Sequence, residues 1–140
     1  MKLDNILIKI PTIILGLHAI LNIFRGSAHF FLPDGGSIII AGLDIGSGDQ
    51  KQIIITLFAS MGAGQIIWGA LECYVLFYAK KMIAMILTFT TILAGMGTFI
   101  LYIFKPLPIT VPGHNNIYVF AVLIIATIIA FRNQSMKDYP

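Results

Sequence analysis

Charge is scarce in this chain: Asp, Glu, Lys and Arg make up only 11% of its 140 residues, whereas 58% are hydrophobic. A soluble domain of that size has too little interior to hide so much apolar surface, so an ordinary water-soluble fold is excluded. Cysteine is nearly absent too. The single Cys73 leaves no disulfide within the chain, no CxxC redox pair and no thiol cluster for a metal. HExxH, P-loop and GxSxG motifs are missing, and no carboxylates are paired at a useful spacing. We therefore expect no catalytic residue, no cofactor, no metal and no catalytic activity of the chain's own. Basic residues do not interleave with aromatics, which argues against a nucleic-acid partner.

What is present is apolar length. Crossing roughly 30 Å of hydrocarbon takes about 20 helical residues, and four runs qualify: 6–31, 52–79, 82–104 and 116–131. Ile53-Ile54-Ile55 and Leu123-Ile124-Ile125 would suit strands, but the runs are too long for strands and lack the alternation of a membrane barrel. A backbone in lipid must satisfy its own hydrogen bonds, which leaves helices. The expected fold is all-α: one transmembrane domain over 1–140, an integral membrane four-helix bundle.

The first run is too long for a signal-peptide core and ends in His29-Phe30-Phe31-Leu32-Pro33 instead of a small-residue cleavage site. Pro11 is placed in the first turns of its helix, where a missing amide donor matters little. With both termini cytoplasmic, the inner side holds Lys2, Lys9, Lys80, Lys81, Arg132 and Lys137, and the outer loops hold Lys51 and Lys105. That asymmetry favours this orientation. The preference for Ile over Leu points to an AT-rich prokaryotic genome, and so to a multi-pass protein of a prokaryotic plasma membrane.

Small residues suggest a packing order. Ser60 with Gly64, Ala59 with Ala63, and Gly62 with Gly69 mark span two as the close-contact hub. Thr88, Thr91, Gly95 and Thr98 give span three a smooth packing face. Span four, apolar apart from Thr127, belongs at the periphery or against another subunit. The loop 33–51 has an apolar middle between polar flanks, which suits a cap folded over the bundle or a contact with a partner subunit.

The chemistry gathers on the first helix. His18, Asn22, Arg25 and His29, spaced by four, three and four, lie on one helical face that cannot point to lipid. The second helix answers with Gln65, Trp68 and Glu72. If the midpoints of the two spans lie at one depth, Glu72 sits too far inward for Arg25. Gln65 then falls beside His18 or Asn22, and Glu72 beside Lys9 and Thr12. These side chains either glue the helices together or line a ligand site. His29, His114 and Asp34 could converge as metal ligands at the outer surface.

Gly16-Leu17-His18, the run Arg25-Gly26-Ser27-Ala28-His29-Phe30-Phe31-Leu32-Pro33-Asp34, and Gly62-Ala63-Gly64-Gln65 on the second span resemble the DoxX-like group and related small four-helix membrane proteins. The resemblance implies a compact four-helix membrane bundle that serves as a small partner of a redox or secretory membrane complex. It transfers no catalytic residue. The leading functional expectation is a non-catalytic accessory or structural subunit of a larger membrane complex, of oxidase, monooxygenase or respiratory type. Its partners are the bilayer and other membrane subunits, met through the loop 33–51 and span four. The alternatives are a stand-alone membrane binder or carrier of a small anionic or lipophilic ligand, built on His18, Asn22, Arg25, His29 and Gln65 with Trp68 as a wall, and a quinone-linked oxidoreductase component.

Overall fold

A computed structural model describes residues 2–38, 42, 43, 45–106 and 115–137. It is all-helical: α1 (Lys2–Phe31), α2 (Gly48–Tyr78), α3 (Ile83–Phe99) and α4 (Asn116–Lys137). A 3₁₀ turn, Lys80–Met82, links α2 to α3, and α3 continues as a π-helical turn, Ile100–Phe104. All four helices are long and apolar enough to cross a membrane. Their outward faces carry Ile20, Phe24, Ile67, Phe77, Ile92 and Ile125, all exposed, which is the surface lipid requires.

α2 begins at Gly48, so the polar run Gly48-Asp49-Gln50-Lys51 that had been assigned to the loop is its first turn. The preceding segment folds back, as a cap would: Gly35 lies against Ile55 and Phe58 of α2, and Ile45 is buried. Residues 39–41 and 44, the centre of the expected partner-contact loop, lie outside the described residues.

The hub is α1, not α2: α1 packs against α2, α4 and α3, whereas α2 meets α3 sparingly. The reason is which small residues face which neighbour. A Cβ on Gly62 would lie 2.6 Å from the Gly26 carbonyl oxygen of α1, and one on Gly69 would lie 2.9 Å from the Ala19 carbonyl oxygen. These glycines let the α1 and α2 backbones touch. Ser60, in contrast, is exposed and bonds back to Thr56 O at 2.9 Å, and nothing lies within 4 Å of a Cβ on Gly64. Among the described residues the pair expected to pack therefore makes no close helix contact at Gly64.

α4 is not peripheral. It buries Leu123, Ala126 and Ala130 in a core shared with Leu15 of α1, Val75 of α2, and Ala84, Ile86 and Leu87 of α3. Thr127 bonds Thr91 at 2.8 Å, and Phe120 fills the space over Gly95. The smooth face of α3 thus serves packing, as its residue types suggested.

Pro11 lies inside α1, not at its start. Its ring nitrogen cannot donate to the carbonyl one turn back, that of Leu7. Asn133 of α4 supplies the missing donor, with Nδ2 3.3 Å from Leu7 O, and so ties the two terminal helices together at the Lys80–Lys81 end. Asn133→Leu should destabilise the bundle by about 1 kcal/mol, and by less in a Pro11→Ala background, where Leu7 O regains its helical partner. Unfolding of the single and double variants in a denaturing detergent titration measures this; equal losses in both backgrounds would refute the link.

Candidate functional site

The α1–α2 register is set by backbone contact. Gly26 lies opposite Gly62 and Gln65, Gly69 opposite Ala19 and Asn22, and Gly16 opposite Leu76. In this register Glu72 faces His18 and Asn22, which corrects the expectation that Gln65 would meet them and Glu72 would lie beside Lys9 and Thr12. Equating span midpoints misplaced the helices by about a turn or more, because close glycine contact, and not equal depth, decides how they slide.

Glu72 is fully buried, and donors converge on its carboxyl. His18 Nδ1 bonds Oε1 at 2.8 Å, Thr90 Oγ1 donates to Oε1 at 2.9 Å, and Asn22 Nδ2 donates to Oε2 at 3.2 Å. Thr90 in turn accepts from Trp68 Nε1 at 3.1 Å. Asn22 Nδ2 also lies 3.1 Å from His18 Nδ1, which closes the cluster. One carboxyl thus serves α1, α2 and α3 together. Trp68 belongs to this network as well as to the cavity wall. Thr90 was not among the expected site residues, because beside Thr88 and Thr91 in an apolar run nothing in the sequence sets it apart from a packing threonine.

The outer half of the stripe is arranged separately. His29 is fully buried, with its ring edge-on to Phe58 at 5.2 Å. Its Nδ1 lies 2.7 Å from Gly35 O, which can only accept, so Nδ1 carries the proton. Its Nε2 is then the acceptor for Arg25 Nε at 3.5 Å. Both ring nitrogens are occupied, so His29 is not available as a ligand for a metal with Asp34. Asp34 instead accepts from the amides of Gly36 and Ile38 in the turn that follows. His114, the third member of that set, lies outside the described residues. His29 is therefore the post on which the turn after α1 is fastened.

Arg25 reaches the other way, with Nη1 3.3 Å from Asn116 Oδ1 at the start of α4. Among the described residues its partners are neutral, and the contacts, 3.5 and 3.3 Å, are long. Among the described residues no carboxylate lies within ion-pair distance of the guanidinium. Asn116, the other site residue that the sequence does not single out, is the first residue of α4.

Arg25, Asn22, His18, Gln65, Trp68, Thr90 and Asn116 line one cavity of about 450 Å³ between the four helices. Two glycines widen it: a Cβ on Gly64 of α2 or on Gly97 of α3 would meet no atom within 4 Å. Gln65 Oε1 is buried there without a hydrogen-bond partner. Of the expected site residues, then, His18, Asn22, Arg25, Gln65 and Trp68 come together at the cavity. Glu72 lies behind its wall as the group that orients them, and His29 braces Arg25. No protein-family model, curated protein or solved structure matches this chain.

Proposed function

We propose that this chain is a membrane-embedded binding protein for a small molecule with an anionic head, and that Arg25 holds the head within the polar cavity. One observation carries the reading: the guanidinium borders a 450 Å³ cavity without a carboxylate partner among the described residues, while the one carboxylate of the site is engaged by other donors. A charge at membrane depth is expensive unless paired, and a carboxylate or phosphate matches the planar guanidinium fork. Asn116 and Gln65 add an amide on either side. On the Lys and Arg asymmetry, the Lys80–Lys81 end faces the cytoplasm and the Arg25 end faces out. The accessory-subunit and quinone-linked readings are also proposals, but no geometric feature singles them out.

Trp68 is the only tryptophan and borders the cavity, so its fluorescence reports occupancy. In a neutral detergent, hexanoate and hexyl phosphate should perturb Trp68 at concentrations about ten-fold lower than hexanol does. Arg25→Met should remove that advantage, since a charge-assisted hydrogen bond is worth about 1.5–3 kcal/mol. Gly97→Val should block the response while leaving the helices folded, because its side chain enters open space. Equal responses to hexanol and hexanoate, or an unchanged response in Arg25→Met, would overturn the proposal.

A further inference from the structure

A second cavity, of about 270 Å³, adjoins the polar one. Ile14, Leu17 and Leu21 of α1 and Tyr118, Val122 and Leu123 of α4 line it, and His18, Leu21 and Val119 border both. Its lining is almost wholly apolar, so the two neighbouring cavities together offer a cationic end and a hydrocarbon end. The order along the helices fixes its direction. Arg25 and Asn116 lie toward the end of the bundle that carries the turn after α1, and the apolar part runs from there inward to Ile14 and Leu123. From Arg25 to Ile14 the helical rise is about 16 Å. The candidate span Lys9–Phe31 has its middle at Ile20, so the space straddles that level, with Arg25 about 8 Å to the outer side of it and Ile14 about 9 Å to the inner side.

Resting on the anion-binding reading, we infer that the ligand is a single-chain amphiphile with a carboxylate head, a free fatty acid. Its carboxylate sits on Arg25, and its chain passes His18 into the groove between α1 and α4. Charge complementarity selects the head. The narrow second cavity selects one chain over the two of a phospholipid. Head outward and tail inward is also the direction in which such a molecule lies in the outer leaflet of a bilayer, so it can enter sideways without turning over.

The test is photolabelling of the full-length protein in neutral-lipid nanodiscs with hexadecanoate that carries a diazirine at mid-chain, with adducts mapped by mass spectrometry. Adducts should concentrate on Leu17, Leu21 and Val122, and should fall about ten-fold in Arg25→Met, the loss of one charge-assisted contact. Val122→Phe, which narrows the groove at a half-exposed position, should lower the labelling of Leu17 and Leu21. Adducts spread over the lipid-facing surfaces of α2 and α3, and equal in Arg25→Met, would overturn the inference. If the hexanoate response survives that outcome, the anion site stands and only the groove is lost; if it fails too, both are lost. Displacement of the probe by two-chain phosphatidic acid as effectively as by unlabelled hexadecanoate would overturn the single-chain assignment.

Discussion

Gly62→Leu should unfold the bundle or leave it destabilised by about 3 kcal/mol or more, at the upper end of what overpacking does. An added Cβ there meets the Gly26 carbonyl oxygen at 2.6 Å, the His29 Cβ at 2.8 Å and the Phe30 nitrogen at 2.9 Å. Two of these are backbone atoms of α1, so no rotamer change relieves the clash and the helices must separate. Separation also dismantles the register that brings Glu72 to His18. Gly64→Ala, two residues away, is the internal control. It enters open space and exchanges glycine for a better helix former, so it should be neutral or stabilising by up to about 1 kcal/mol. Denaturing detergent titrations followed by circular dichroism compare the two. Similar losses at 62 and 64 would contradict the packing described, and would restore the Ser60–Gly64 face as the contact surface.

Glu72→Ala should cost about 3 kcal/mol, the upper end of what stranding buried hydrogen-bond donors does. It leaves His18, Asn22 and Thr90 without their shared acceptor. Hydrogen bonds between membrane helices average nearer 0.6 kcal/mol, so a loss that small would show that the donors find other partners. The coupling is the sharper readout. His18→Ala should destabilise less in the Glu72→Ala background than in wild type, because its partner is already gone. Additive losses would mean that the two groups do not interact. Glu72→Gln, which keeps the shape and one acceptor, should fall between wild type and Glu72→Ala.

Much of the architecture was legible because long apolar runs impose it. Apolar length marks four spans, and a helix with His18, Asn22, Arg25 and His29 on one face must turn that face inward. Relative sliding of helices was not legible. It depends on which of several glycines meets a neighbouring backbone, and Gly62, Gly64 and Gly69 look alike in a sequence although two bear on α1 and one faces a void. Hence Glu72 was matched to the wrong residues. Pro11 was misplaced for a related reason: the start of α1 lies in a polar stretch that hydropathy does not count, so an interior proline looked like one of the first turn. Span four was misjudged because Ala126 and Ala130 pack as well as larger side chains where helices approach closely. Thr90 and Asn116 were missed because their polarity matters only once the fold brings them to Glu72 and Arg25.

Whether Arg25 is kept for a ligand or for the fold can be decided by thermal unfolding of wild type and Arg25→Met, each with and without hexadecanoate. A half-buried cation whose contacts among the described residues are long and neutral contributes little to stability, and its apolar replacement is neutral or stabilising where such a charge lacks compensation. Without hexadecanoate, Arg25→Met should therefore melt at or above the wild-type temperature. With hexadecanoate at a hundred times its dissociation constant, wild type should gain about 2.7 kcal/mol and the variant almost nothing. An Arg25→Met protein that melts well below wild type without the fatty acid, together with no stabilisation of wild type by it, would make Arg25 a structural residue and contradict the ligand site.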